Sequence, residues 1–270
     1  MLSQLMSGKE ATVYIVRSGN EIRCAKVYKD VKQRSFRQAA SYLEGRKVQN
    51  SRQQRAMEKG SRYGREVQEK LWQTAEVDAL FRLANAGVRV PRPFICTDGV
   101  LLMELVTDGH GNVAPRLNDV EMTESLALEL HQSLLNEVVR ILCEGMVHGD
   151  LSEYNVLVDS EGPVIIDLPQ AMDAAANNNA RRILERDVDN LKAYFGQFAP
   201  DLLSSNYGRE IWLRYEAGTL HPESVLDGHV PLVEKTADLD EVMQVIDAAS
   251  DEEAARKARQ EAVRLGGRTV

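Results

Sequence analysis

An aspartate, an asparagine five positions later and a second aspartate on the following loop carry most of the chemical information in this chain of 270 residues. Asp150 and Asn155 lie in His148-Gly149-Asp150-Leu151-Ser152-Glu153-Tyr154-Asn155, and Asp167 closes Ile165-Ile166-Asp167. A phosphoryl-transfer centre uses that spacing, with one carboxylate to orient and deprotonate an acceptor hydroxyl and an Asn and an Asp to hold Mg2+. Mg2+ is a hard cation that takes oxygen from one or two protein side chains together with the substrate phosphates, which suits Asn155 and Asp167. A general base at Asp150 is worth ~10²–10⁴ in rate. The competing reading, a polar turn, must produce three spaced positions and two flanking apolar runs by coincidence.

Those runs, Val156-Leu157-Val158 and Val164-Ile165-Ile166, read as strands joined through Asp159-Ser160-Glu161-Gly162, a hairpin that brings Asn155 and Asp167 to one end. Upstream, Ala11–Val16 and Ile22–Tyr28 read as strands with Ser18-Gly19-Asn20 between them. Period-two alternation puts Cys24 and Lys26 on one face, where Lys26 can reach nucleotide phosphates, and Lys29 on the other. Such a lysine needs a carboxylate from a packed helix. The periodic run from about 65 to 86 supplies Glu76, on the turn before Leu80 and Leu83, and Gly87 stops it.

Pro93–Thr97 and Val100–Val106 form a second hairpin about Asp98-Gly99. Its end suits a hinge, with backbone groups of Glu104 and Val106 facing an adenine and Met103 at the back of the pocket. Leu126, Leu130, Leu134, Val138 and Leu142 mark a core helix over 121–144, and 180–195 and 207–216 are also helical. The expected fold is α+β and bilobal, protein-kinase-like: a small β-rich N-lobe with one long helix (1–106), a mostly helical C-lobe (107–236) and a reduced activation segment. Residues 237–270 form a charged helical or flexible C-terminal tail.

The composition, 43% hydrophobic with a net charge of −8, permits a substantial core. No apolar run is long enough to span a bilayer and no basic segment leads into an apolar one at the N-terminus, so a soluble cytoplasmic protein with no membrane contact is expected. Cys24, Cys96 and Cys143 are isolated and read as reduced core residues. Charge is uneven: the 29–70 segment holds twelve Lys or Arg against five Asp or Glu. That segment suits either RNA phosphates or an acidic partner, or else a solvated insertion.

The motifs together resemble the RIO atypical protein serine kinases, nearer to RIO1-like and bacterial members. Ser7-Gly8-Lys9-Glu10-Ala11-Thr12-Val13-Tyr14 is similar to that family's replacement for the kinase glycine-rich loop. His148–Asn155 resembles its catalytic loop, Ile165-Ile166-Asp167-Leu168-Pro169-Gln170 its metal loop, and Arg186-Asp187-Val188-Asp189-Asn190-Leu191 one of its helices. The resemblance implies ATP and Mg2+, or Mn2+, as cofactors. Ser7, Gly8 and Lys9 would lie on the phosphates, Lys26 and Glu76 would position ATP, and Met103, Glu104 and Val106 would line the base. Asn155 and Asp167 would bind metal, and Asp150, Asp167 and Lys26 would serve catalysis.

The leading expectation is transfer of the γ-phosphate of ATP to a serine of an unknown protein substrate, including autophosphorylation. Gly149 stands where ordinary kinases have Arg, and no Ala-Pro-Glu follows Asp167, so a peptide-docking platform is not expected. Two alternatives stay open. One is an ATPase-type assembly factor in ribosome maturation, cycling through an aspartyl-phosphate at Asp167, for which the basic 29–70 segment would suit a ribosomal or RNA contact. The other is a small-molecule phosphotransferase of the aminoglycoside or choline kinase type.

Overall fold

The computed structural model describes residues 1–8, 11–29 and 62–230, with side chains of the first helix described from Thr74 onward. Lys9, the 30–61 part of the basic segment and the 237–270 tail lie outside the described residues. Five antiparallel strands form the N-lobe sheet: β1 (Ser3–Ser7), β2 (Ala11–Ser18), β3 (Glu21–Tyr28), β4 (Pro93–Thr97) and β5 (Val100–Glu104), in spatial order β1-β2-β3-β5-β4. Among the described residues, one helix, α1 (Arg62–Asn85), lies between β3 and β4 in the chain. Among the described residues, three α-helices and short paired strands make up the remainder, the C-lobe, so the fold is bilobal α+β.

Turn chemistry sets the hairpin registers. Gly19 (φ +64°) and Asn20 close β2 onto β3 with Ser18 opposite Glu21, and Asp98 (φ +50°) and Gly99 (φ +75°) close β4 onto β5 with Thr97 opposite Val100. In the second turn, left-handed backbone at both Asp98 and Gly99 matches the twist of the paired strands, which is why Asp-Gly serves there. The β3–β5 pairing sets Cys24 opposite Met103 and Lys26 opposite Leu101, so the lysine strand and the hinge strand share a register. β5 stops at Glu104, two residues short of the expected Val106. There the Glu104 N–H donates to the Arg92 carbonyl and the Val106 carbonyl accepts from the Ala114 N–H, so the chain has already turned away from the sheet.

In the C-lobe, α2 (Glu124–Cys143) starts at Thr123, whose side chain accepts from the Leu126 N–H, and buries Leu130, Leu134, Val138 and Leu142. A turn at Gly145 (φ +67°) delivers β6 (Met146–Val147) directly into the His148 segment. The β7 (Val156–Asp159) and β8 (Gly162–Ile165) hairpin follows, then β9 (Met172–Asp173), which pairs with β6. The helices α3 (Ala180–Phe195) and α4 (Tyr207–Glu216) complete the lobe. Ile183, Leu184, Asp187, Val188 and Leu191 are all buried on α3, one stripe of the helix pressed into the core.

Cysteine placement differs from expectation. Cys24 is buried and Cys143 half-buried, but Cys96 is exposed, because β4 is the sheet's edge and turns the later residues of the strand outward. No described helix is long and apolar enough to cross a membrane.

His131 of α2 is the buried oddity of the C-lobe. Its ring lies 5.5 Å from those of Phe195 and Tyr207, its Nε2 has no hydrogen-bond partner, and burial pushes its pKa down to about 4. The folded state therefore keeps the ring neutral while the unfolded chain binds a proton below about pH 6.5. Stability is full above that value and is lost as pH falls toward 4, by up to roughly 3 kcal/mol for the shift involved. Chemical denaturation at pH 7 and pH 5 should show this loss in the native protein and a much smaller one in His131→Phe.

Candidate active site

A cavity of about 410 Å3 opens between the sheet and the C-lobe. Its volume is in the range of small-molecule sites. Val13, Cys24 and Lys26 line it from β2 and β3, Met103, Glu104 and Val106 from the hinge, Gly8 from the loop after β1, and Asn155 and Asp167 from the C-lobe.

Lys26 is the electrostatic centre. Its ammonium pairs with Glu76 Oε1 and, at 2.9 Å, with Asp167 Oδ1. The Lys26 and Glu76 side chains are only 12% and 7% exposed, whereas Asp167 is 47% exposed to the cavity. Burial alone would lower the Lys26 pKa, but the charges and hydrogen bonds of Glu76 and Asp167 hold it above the ordinary lysine value. Burial acts on Asp167 in the opposite sense, raising it, and Lys26 outweighs this so that the carboxyl lies below its usual range. Tyr28, two residues beyond Lys26 on the same face, donates its hydroxyl to Glu76 Oε2 at 2.9 Å. Both Glu76 oxygens are thereby committed, and burial together with the Glu76 charge raises the phenol pKa.

Asp167 adopts φ +67°, a left-handed conformation in which Asp is tolerated at a cost of about 1–2 kcal/mol. The Ile166 N–H donates to the Asn155 carbonyl at 2.9 Å, setting the two ends of the β7–β8 hairpin side by side. Asn155 Nδ2 donates to the Asp150 carbonyl at 2.7 Å, which leaves the amide oxygen as the atom Asn155 can offer a ligand. With Asp167 Oδ2 not engaged by Lys26, two oxygen donors line the cavity, a set that fits Mg2+ or Mn2+ completed by phosphate oxygens.

The His148–Asn155 loop is held from three directions. His148, buried, accepts from the Asp150 N–H at Nδ1 (3.2 Å), so its proton sits on Nε2 and is donated to the Ile166 carbonyl at 3.2 Å. Asp187 of α3, buried within the core, accepts from the Gly149 N–H at 2.8 Å, and Arg186 donates to the Gly149 carbonyl at 2.5 Å. Asn190 donates to the Leu151 carbonyl at 3.1 Å. Asp150 itself is exposed; partial burial raises its carboxyl above the usual range and the nearby Asp167 charge acts the same way, against His148 and Arg186.

Ser7 and Gly8 sit where β1 turns toward β2. Lys29, expected on the opposite face, reaches across them instead, donating to Ser7 Oγ at 3.0 Å and to the Gly8 carbonyl at 2.7 Å. It can do so because β3 ends at Tyr28 and frees the next residue from strand alternation. Tyr28, Lys29, Arg186, Asp187 and Asn190 carried no role in the sequence reading. Asp187 was the legible one, a charged residue on the apolar stripe of α3, where it needs a buried partner.

The RIO domain family matches residues 12–207. The chain belongs to the RIO family. It is 34% identical over 199 residues to the RIO-type serine/threonine-protein kinase Rio1 of Haloferax volcanii, covering 73% of this chain and 63% of that protein. It is 33% identical over 215 residues to the serine/threonine-protein kinase RIO1 of Chaetomium thermophilum, covering 74% of this chain and 40% of the relative. The human RIO1 kinase is 30% identical over 194 residues, 71% of this chain and 32% of that one. A solved structure, the Rio2 kinase–ADP/Mg2+–phosphoaspartate complex from Chaetomium thermophilum, shares the fold with a TM-score of 0.55 at 22% identity, covering 96% of this chain and 72% of the other.

Gly149 offers a direct test of how the loop is held. Its φ is +88°, and a Cβ there would run into the Gln170 carbonyl oxygen and stand 3.0 Å from Met172 Cε. Gly149→Ala should lower stability by about 1–2 kcal/mol and displace Asp150. The expected readout is a lower thermal midpoint with metal-free nucleotide affinity little changed, since Gly149 does not line the cavity.

Proposed function

We propose that this RIO domain is an ATP- and Mg2+-dependent phosphotransferase whose turnover passes through Asp167, in the manner of an ATPase-type assembly factor. The observation that carries the reading is the state of Asp167: ionised beside Lys26, half-exposed to the cavity, with one oxygen held and the other open. An ionised carboxylate so placed is a nucleophile as well as a metal ligand. Its open oxygen would bond to the γ-phosphorus as the bond to the β–γ bridging oxygen breaks and ADP leaves. Water then cleaves the acyl phosphate, returning the carboxylate and inorganic phosphate. The Rio2 structure that shares this fold is described as a phosphoaspartate complex with ADP and Mg2+, which supports the same chemistry here.

In this reading Lys26 steadies the phosphates, held by Glu76 and Tyr28. Ser7 and Gly8 cover them, and the hinge around Met103, Glu104 and Val106 receives the base. Asn155 and Asp167 would hold the metal, which supplies charge neutralisation on the transferring group when bound. Asp150 orients the attacking hydroxyl and takes its proton, water in the ATPase cycle.

Transfer to serine is the second reading, favoured by the exposed position of Asp150 and by the names of the curated relatives. Affiliation with bacterial members, a cytoplasmic location and a ribosomal or RNA partner belong to the proposal and rest on the motifs and on the charge of the 29–70 segment.

Incubation with γ-labelled ATP and Mg2+ separates these readings. Hydroxylamine-labile label, lost in Asp167→Asn, is the expected result. Acid-stable label on serine would favour the protein kinase reading, and label appearing only on added aminoglycosides or amino alcohols would overturn both. Asp150→Ala should slow turnover by about 10²–10⁴. Because the base must be ionised and its pKa is raised, native turnover should fall on the acid side, with an apparent pKa above that of an ordinary aspartate.

A further inference from the structure

Arg89 lies on neither lobe's expected machinery, in the short link from α1 to β4. Its side chain nonetheless makes the densest polar contact in that region. Nη2 lies 2.6 and 2.7 Å from the two Asp159 carboxylate oxygens, Nε donates to the Pro163 carbonyl at 3.1 Å, and Nη1 reaches Glu161 at 3.1 Å. All three partners belong to the closed end of the β7–β8 hairpin. The Arg89 and Asp159 side chains are 23% and 19% exposed, so the pair is shielded from bulk water on most sides.

The backbone of the same residue is tied down as well. The Arg89 N–H donates to Glu137 Oε2 at 2.9 Å, a carboxylate buried on α2 whose other oxygen accepts from Arg140, and the Arg89 carbonyl accepts from the Ile165 N–H at 2.8 Å. Residue 89 thus grips the hairpin at its turn through the side chain and at the last residue of β8 through the main chain.

A ribbon of two four-residue strands is marginal alone. This one carries both metal-ligand candidates at its open end, Asn155 just before β7 and Asp167 two residues after β8. Its turn also engages itself, since Asp159 Oδ1 accepts from the Glu161 and Gly162 N–H groups at 2.7 and 3.0 Å. Asp159 is therefore both the cap of the turn and the handle that Arg89 holds. Arg89 in turn continues from the helix that carries Glu76. One path of side chain and backbone bonds therefore joins the carboxylate that fixes Lys26 to the hairpin that presents Asn155 and Asp167.

Building on the functional reading above, we infer that Arg89 is a positioning residue for the metal site, setting the hairpin against α1 so that Asn155 and Asp167 present their oxygens at the separation Mg2+ requires. Arginine is specific here because one planar guanidinium reaches three partners at once, Asp159 through Nη2, the Pro163 carbonyl through Nε and Glu161 through Nη1, which a lysine ammonium cannot span. Outer partners of metal ligands act in this way on affinity without touching the ion.

The test uses the full chain with Arg89→Met, Arg89→Lys and Asp159→Asn. Nucleotide binding is measured with ATP in EDTA and again across a Mg2+ titration, and amide hydrogen exchange is followed without nucleotide. Arg89→Met should raise the Mg2+ concentration for half-effect by about tenfold or more, within the range seen for outer partners of metal ligands. Metal-free ATP affinity should stay within about twofold, as expected for a residue outside the cavity lining. Exchange should quicken at 165–167 and not in α2. Arg89→Lys should fall between, and Arg89→Met combined with Asp159→Asn should be no worse than the more severe single variant. An unchanged Mg2+ requirement in folded Arg89→Met, or equal losses with and without metal, overturns the inference while leaving the functional reading standing. A native protein with no Mg2+ dependence overturns that reading, and the inference with it.

Discussion

One ammonium group organises the candidate site. Lys26 is nearly buried and bears a charge that could not be tolerated there unpaired. Glu76 and Asp167 compensate it from opposite sides, one from the N-lobe helix and one from the C-lobe loop. The two lobes therefore meet at a salt bridge whose members are far apart in sequence, and much of the remaining structure serves to hold its ends. Tyr28 occupies the second oxygen of Glu76, and the β3–β5 register sets the height of Lys26 above the hinge. On the other side, the His148 and Asn155 hydrogen bonds set the loop from which Asp167 emerges with left-handed backbone.

The same arrangement accounts for the different states of the two aspartates. Both are raised by burial, but Asp167 has a cation at hydrogen-bond distance and ends below the usual range, while at Asp150 the charges of His148 and Arg186 do not offset burial and it ends above that range. One carboxylate is thereby held ionised, the state the proposed ligand and nucleophile roles require. The other has a pKa moved toward the range in which a base works best. Two residues of one chemical type are thus shifted in opposite directions by their surroundings alone.

Much of this was legible in the sequence, for identifiable reasons. Strong periodicity and clear stops mark α2, α3 and α4, and Asp-Gly or Gly-Asn pairs mark the hairpins. Glu76 could be picked out because it lies one turn before Leu80 and two before Leu83, near the stripe that had to be buried. What escaped was fixed by tertiary contact. β1 has the sequence Ser3-Gln4-Leu5-Met6-Ser7, without a β-branched residue, and is a strand because β2 pairs with it. Cys96 looked like core because its neighbours are apolar, yet it lies on the outer edge. Lys29, Asp187 and Arg89 are polar residues whose partners lie 21 to 74 positions away. No local pattern specifies such pairs, which only the folded lobes bring together.

The most direct test of the central claim is whether Lys26, Asn155 and Asp167 converge on a metal-bound triphosphate. Mn2+ in place of Mg2+ allows this to be read from its electron paramagnetic resonance signal as protein is titrated into Mn2+ and ATP. The account predicts a protein-bound Mn2+ species that forms only with nucleotide present, weakens in Asn155→Ala and disappears in Asp167→Asn. A signal that is unaffected by Asp167→Asn, or one that needs no nucleotide, would contradict it.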